Sequence, residues 1–397
     1  MTGVQTCALP ISELLERIRD EIRRTGPMPF ARFMELALYA TEGGYYRAAS
    51  ARPGREGDFI TAPELHPIFG WTLSAAIDEV WRRIGEPMPF VVREIGAGDG
   101  TLAVTILDGL RETGSPLLDA IVYEPVEVDE LRLDAFASRL EAAGHGARHR
   151  PPGTGPFDGV VLANEVLDAL PVHRVRCRAD RLVELAVDLD ADRGLVEVEI
   201  DPSTPALAER LHDEGIELVD GQTAEICLVI DDWIAAAATP LRRGLLLLVD
   251  YGATAAELYD PVRRSDGTLR AYVRHQVHDD PYRHVGRQDL TAHVDVTAVE
   301  RAAHAAGLET VGITTQAEAL MGLGIEARLQ AIQADPTTTF EEYTLVRSAL
   351  MRLLDPAAMG RFRVMAFGSD WPPTDAPAPP LGLFAFRLPT RAGRASR

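Results

Sequence analysis

The chain has 397 residues, 46% hydrophobic and 25% charged, which suits a soluble protein with a sizeable buried core and argues against disorder. A formal net charge of -20, from 60 acidic residues against 40 basic ones, argues against a nucleic-acid partner gripped through its phosphates, because such proteins display a basic face. No apolar run, residues 245–249 included, approaches the roughly 20 residues that a membrane-spanning helix needs.

Cys7, Cys177 and Cys227 are too scattered for a zinc site and odd in number for a disulfide framework, which points to a reducing cytoplasm. Residues 1–11 lack both a secretory signal and the arginine-rich character of a mitochondrial presequence. They read as translated adapter sequence, so the fold is expected to start at Ser12. From there Leu14, Ile18 and Ile22 share a helical face closed by Gly26-Pro27. A second amphipathic helix carries Phe30, Phe33, Ala37 and Leu38 and stops at Gly43-Gly44. A polar loop at 51–59 leads to Thr61-Ala62-Pro63-Glu64, the spacing of a capping box, and an apolar stripe follows at 65–81. Residues 12–86 are thus expected to form a helical arm and lid.

After Pro89 the period changes. Residues 90–95 read as a strand, residues 96–100 as a glycine turn and residues 102–110 as a helix. A strand at 120–124, a helix to about residue 143, a buried strand at 157–163 and an apolar strand at 245–250 continue the alternation. The spacing predicts an α/β fold, a doubly wound, mostly parallel Rossmann-like sheet occupying residues 87–397. Antiparallel strands are expected in an insertion at about 174–225 and helices in another at about 317–361, with final strands at 308–315 and 383–389.

The turn Glu94-Ile95-Gly96-Ala97-Gly98-Asp99-Gly100-Thr101-Leu102 joins a strand to a helix, where glycines admit a ligand close to the backbone and free N–H groups face it. The dinucleotide fingerprint needs its third glycine one residue later, where this chain has Thr101. Glu94, two residues ahead of the first glycine, suits a methionine-like ammonium, and no pyrophosphate is provided for. Glu124, at the end of the next strand, is placed to accept from ribose hydroxyls. Together these residues point to S-adenosylmethionine. A nicotinamide-dependent oxidoreductase built on the same turn and a cofactor-binding assembly protein without turnover are the competing readings.

Asn164-Glu165-Val166-Leu167-Asp168 follows the third strand at the carboxyl edge of the sheet, where open α/β folds bind ligands. Glu165 and Asp168 can clamp a guanidinium acceptor, while the alternative is that Asn164 and Asp168 only cap the next helix. His173, Asp250 and Tyr251 are candidates for the acceptor side. Residues 268–295 concentrate His, Asp, Arg and Tyr, and His293-x-Asp295 offers two ligands, but without tight His or Cys pairing no metal site is expected.

Several blocks in order resemble the MidA-like methyltransferase family, whose mitochondrial branch is the complex I assembly-factor arginine methyltransferase. They are Gly43-Gly-Tyr-Tyr46, Gly57-Asp-Phe-Ile-Thr-Ala-Pro-Glu64, the glycine turn, Ala163-Asn-Glu-Val-Leu-Asp-Ala-Leu-Pro171, Val249-Asp-Tyr-Gly252, Gly267-Thr-Leu-Arg-Ala-Tyr272 and Gln288-Asp-Leu-Thr-Ala-His-Val-Asp295. The resemblance implies a Rossmann-like methyltransferase sheet and S-adenosylmethionine as methyl donor. It also implies a protein arginine acceptor, symmetrically dimethylated in the mitochondrial branch, with a respiratory-complex subunit as partner. It makes Phe59 and Thr61 lid contacts over the cofactor. The chain departs from the family pattern at Pro125-Val126, which follow Glu124 where a small polar residue is expected, and at Asp99, which replaces a basic residue.

Overall fold

The computed structural model describes residues 9–47, 61–192, 194–273, 276–371 and 379–388. Its frame is a six-stranded sheet of β1 (Phe90–Ile95), β2 (Ile121–Val126), β3 (Phe157–Asn164), β4 (Leu241–Asp250), β5 (Glu309–Thr315) and β6 (Arg363–Ser369), in the spatial order β5-β6-β4-β3-β1-β2. The pairs β2–β1, β1–β3 and β3–β4 are parallel, while β6 runs antiparallel to both its neighbours. The expected last strand at 383–389 is not formed over its described residues. β6 takes that place, and Gly382–Phe384 is a 3-10 turn. Hydrophobicity alone misassigned it, because Leu383 and Phe384 are buried as a strand's residues would be.

Side chains on the sheet alternate strictly between two cores. Val92, Val160, Leu162, Leu245, Leu247, Val249 and Val364 face one layer, which holds α3 (Ile68–Arg83), α4 (Thr101–Glu112) and the helices within 316–354. Val91, Val161, Ala163, Leu246, Leu248, Met365 and Phe367 face the other, which holds α6 (Ile230–Ala238) and α7 (Val296–Ala305). Between α4 and α6 in the chain lies α5 (Glu130–Ala142). Helices α3 and α4 pack very closely. A Cβ on Gly70 would lie 1.9 Å from Thr105 Oγ1, and one on Gly109 would lie 2.5 Å from Ser74 Oγ.

The N-terminal arm comprises α1 (Leu9–Thr25) and α2 (Phe30–Tyr39). Helix α1 begins inside the 1–11 segment set aside on sequence grounds, and residues 1–8 lie outside the described residues. The arm does not stand alone. Leu14, Ile18, Phe30, Phe33 and Leu38 form one core with Val187, Leu269, Leu290 and Ala292. Met28–Pro29 pairs antiparallel with residues 186–187 of a second sheet, built from His173–Arg178, Arg181–Asp190, Gly194–Ile200 and Thr223–Ile226. The antiparallel insert is thus the platform on which the arm sits.

Candidate functional site

From β1 the chain crosses to β2 on one side and then to β3 on the other, so the carboxyl ends of these strands open a crevice at a topological switch point. A cavity of about 400 Å³ lies there, within the range of small-molecule sites. The glycine turn lines it with Glu94, Gly96, Ala97, Gly98, Asp99, Thr101 and Leu102, the β3 end adds Asn164 and Glu165, and the segment before α3 adds Thr61 and Glu64. Phe59 lies outside the described residues.

Gly98 has φ +55, and no atom lies within 4 Å of where its Cβ would stand, so its backbone is bare toward the cavity. Gly100 serves a different end. It sits at φ +85 as N-cap of α4, and a Cβ there would lie 2.9 Å from Phe136 of α5, so it is a packing position that does not line the cavity. Glu94 is 3% exposed and accepts from Tyr123 Oη at 2.5 Å. Burial, opposed by that hydrogen bond, pushes Glu94 up to about 8. A buried carboxyl of this kind suits a cationic ligand, which would restore its charge.

The structure does not bring Glu124 to the cavity. Glu124 lies inside β2, not at its end, and accepts from Arg93 Nε at 2.9 Å and Arg150 Nε at 3.0 Å without lining the cavity. Glu127, the first residue past the strand, lines it and accepts from Gly98 N at 2.9 Å. Its signal was its position two residues before Asp129, whose side chain caps α5 by accepting from Leu131 N. At Asp99, where the family was expected to be basic, the carboxylate is engaged by Thr101 Oγ1 and Arg139.

Glu165 holds φ +54, an uncommon conformation for a non-glycine residue. The strain is held by its own N–H, which donates to Val249 O at 2.8 Å, and by Oε1, which accepts from Ala62 N at 3.1 Å and Asn164 Nδ2 at 3.0 Å. Asn164 therefore orients Glu165 and caps no helix. Burial raises Glu165 to about 8.

Asp168, Asp250 and Tyr251 do not line the cavity, and each supports the loop that carries Glu165. Asp250 Oδ2 accepts from the N–H groups of Val166 (3.1 Å), Leu167 (2.8 Å) and Asp168 (3.3 Å), so it is the cap that the sequence reading gave to Asn164 and Asp168. Asp168 is bonded to the Tyr251 hydroxyl, and burial raises both carboxyls. His173 is turned away into the second sheet, with Nδ1 at 2.7 Å from Glu184 Oε1. In His293-x-Asp295, the imidazole packs edge-on to Tyr251 and Asp295 caps α7. Among the described residues no group of three or more His, Cys, Asp or Glu is disposed to hold a metal.

The cavity wall includes residues to which sequence reading gave no role. Tyr39 and Tyr46 line the cavity as a stacked pair with centroids 5.5 Å apart. Their hydroxyls donate to Ala169 O (3.0 Å) and Asp289 Oδ1 (2.8 Å), so the phenols are tied down and the rings are presented to the cavity. Trp233 of α6 and Arg132 of α5 also line the cavity.

The comparisons agree with this geometry. Residues 72–314 match a family described as S-adenosyl-L-methionine-dependent methyltransferases. The chain is 31% identical, over 89% of its length and 84% of the relative's, to the protein arginine methyltransferase NDUFAF7 homolog, mitochondrial, of Drosophila melanogaster. It is 28% identical to the Homo sapiens protein arginine methyltransferase NDUFAF7, mitochondrial, over 92% and 85% of the two chains. A Burkholderia thailandensis protein solved with bound S-adenosyl-homocysteine superposes with a TM-score of 0.86 at 32% identity, covering 97% of this chain and 98% of that one. The nicotinamide reading falls with these matches. A bare glycine turn, a buried acid for a cationic tail and a second acid at the neighbouring strand end suit S-adenosylmethionine, and the chain belongs to the family of S-adenosyl-L-methionine-dependent methyltransferases.

Proposed function

We propose that this methyltransferase modifies an arginine nitrogen of a polypeptide, with Glu165 facing the acceptor. The observation that carries this reading is the placement of a strained, buried carboxyl in the same cavity as the glycine turn, with Oε1 already committed to Ala62 and Asn164. Oε2 is then the atom left to meet the acceptor. The printed names of the relatives as protein arginine methyltransferases support the same acceptor.

S-adenosylmethionine supplies an electrophilic methyl group on its sulfonium. Glu94 would hold the ammonium, Glu127 the ribose, and the backbones of Ala97, Gly98, Thr101 and Leu102 would pack along the ligand. Thr61 and Glu64 close one side, and the tyrosine pair fits a planar cation against its aromatic faces. Glu165 then has two tasks. Its charge orients the guanidinium for in-line attack, and its raised affinity for protons lets Oε2 take the proton that the nitrogen sheds. Asp168, buried behind Glu165, acts through the loop. The narrower expectations, a respiratory-complex subunit as acceptor and a cytoplasmic location, rest on the family resemblance and on cysteine usage.

The test is incubation of a source-cell lysate with labelled methyl donor and either the wild-type enzyme or the Glu165→Gln variant, followed by mass spectrometry. Label on arginine that depends on Glu165 is the expected result. Label confined to lipid or metabolites would overturn the arginine assignment.

A further inference from the structure

Along β3, Val160 and Leu162 face the layer that holds α3 and α4, and Val161 and Ala163 face the other. By the same alternation the last residue of the strand, Asn164, falls on the side of Val160 and Leu162. Glu94, two residues beyond Val92 on β1, falls on that side too, and its partner in the ladder is Leu162. Asn164 thus stands two residues further out than the level of Glu94 and directly before Glu165. Both Asn164 and Glu165 line the cavity.

The amide of Asn164 is held in one orientation. Glu165 Oε1 accepts from the Ala62 N–H at 3.1 Å and from Asn164 at 3.0 Å, and an accepting oxygen takes only a donor. Nδ2 is therefore the atom turned toward Glu165, and Oδ1 is the atom turned away. Oδ1 is buried, and among the described residues nothing donates to it. An amide oxygen shut off from water without a donor is costly, and native folds seldom keep one without a use. A capping duty does not account for it, because Asp250 caps the turn that follows. What Oδ1 lacks is an N–H, and two can reach this cavity: the ammonium of the methyl donor and the nitrogen of the acceptor. Position separates them. Glu94 meets the first with a buried carboxyl, whereas the Asn164 amide is tied to Glu165, which faces the second.

We propose that Asn164 Oδ1 accepts an N–H of the acceptor nitrogen, so that Asn164 and Glu165 grip that nitrogen as a pair. This rests on the reading of Glu165 as the residue facing an arginine acceptor. A terminal guanidinium nitrogen carries two coplanar N–H groups. With one on Glu165 Oε2 and the other on Asn164 Oδ1, the plane of the guanidinium is fixed and its face is left toward the methyl group. An amide oxygen accepts a hydrogen bond but takes no proton, so the proton still leaves through Glu165 Oε2. Asn164 is then a catalytic residue in its own right as well as a support for Glu165.

Asn164→Leu and Asn164→Asp separate the two roles. Both remove the amide donor to Glu165 Oε1, but aspartate keeps an oxygen at the Oδ1 position and leucine, of similar size, has none. Two short blocked peptides, one with a central arginine and one with lysine in its place, are titrated into the protein saturated with S-adenosyl-homocysteine. Affinity for S-adenosyl-homocysteine and the melting temperature check the fold, and Asn164→Ala replaces the leucine variant if that one does not fold. The arginine peptide is expected to bind about tenfold more weakly to Asn164→Leu than to Asn164→Asp, with S-adenosyl-homocysteine affinity unchanged in both. Equal weakening in the two variants makes Asn164 a support for Glu165 alone and overturns the proposal. A loss of S-adenosyl-homocysteine affinity confined to the folded Asn164→Leu assigns Oδ1 to the ammonium and overturns it as well. If only the lysine peptide binds the wild-type protein and shows the difference between the variants, the role of the amide is upheld and the arginine assignment falls. Arginine binding that neither variant weakens does the reverse, and binding of neither peptide to the wild-type protein removes both.

Discussion

The two halves of the cavity are built in different ways. The donor half is largely local: Glu94 through Leu102 is one strand, one turn and the first residues of one helix, and Val126, Glu127 and Val128 join it from the end of the neighbouring strand. The acceptor half is assembled from distant segments. Tyr39 reaches Ala169 across 130 residues, Tyr46 reaches Asp289 across 243, and Asp250 cradles a loop more than 80 residues away. The donor half can therefore be held by backbone geometry, whereas the acceptor half depends on long-range side-chain bonds and is the half open to change.

Glu165→Gln should break that division most sharply. It keeps a hydrogen-bond acceptor for Ala62 and removes the base, so methyl incorporation should fall about 100-fold or more, with S-adenosyl-homocysteine affinity nearly unchanged. A comparable loss of cofactor binding would show that the halves are not separable.

Glu124 and Glu127 can be set against each other. Glu124→Gln leaves the inward-facing Arg93 without its charge partner and should cost about 3 kcal/mol of stability, read by thermal unfolding, with cofactor affinity retained. Glu127→Gln should weaken S-adenosyl-homocysteine about tenfold by calorimetry with little effect on the melting temperature. The opposite pattern would return the ribose role to Glu124.

Tyr39→Phe removes one hydroxyl that anchors the acceptor wall to Ala169. It should cost about 1 kcal/mol, appearing as a raised KM for the acceptor and not for the donor.

The smallest effect is on pH dependence. Glu94 and Glu165 have ordinary values near 4.5 and are raised to about 8 in the fold, so the folded protein holds protons that the unfolded chain releases. The stability they contribute is full below about 4.5 and is lost as pH rises through about 8. The melting temperature of the ligand-free protein should therefore decline over this window. Binding of an ammonium-bearing ligand favours ionised Glu94, so affinity should rise over the same window, with proton release near neutral pH. Calorimetry in buffers of different ionisation enthalpy detects it, and an absence of proton release would remove Glu94 as the ammonium partner.

What was readable from the chain alone was what depends on neighbours in sequence. The alternation of residues 90–95 with 101–112, the spacing of Gly96, Gly98 and Gly100, and the Thr61-to-Glu64 capping box all rest on local periodicity and turn chemistry, and all have the expected form. Three-dimensional register decided the rest. Whether Glu124 or Glu127 meets the ligand depends on where β2 ends against β1, which Gly96 N–H marks by donating to Val126 O at 2.8 Å. Asp168 and Asp250 are both acids at strand ends by sequence, yet only the fold shows which oxygens are consumed by backbone N–H groups. Tyr39 carries no motif of its own, and Tyr46 stands in the Gly43-to-Tyr46 block with no role legible there, because their placement comes from segments that meet only when the arm docks on the inserted sheet.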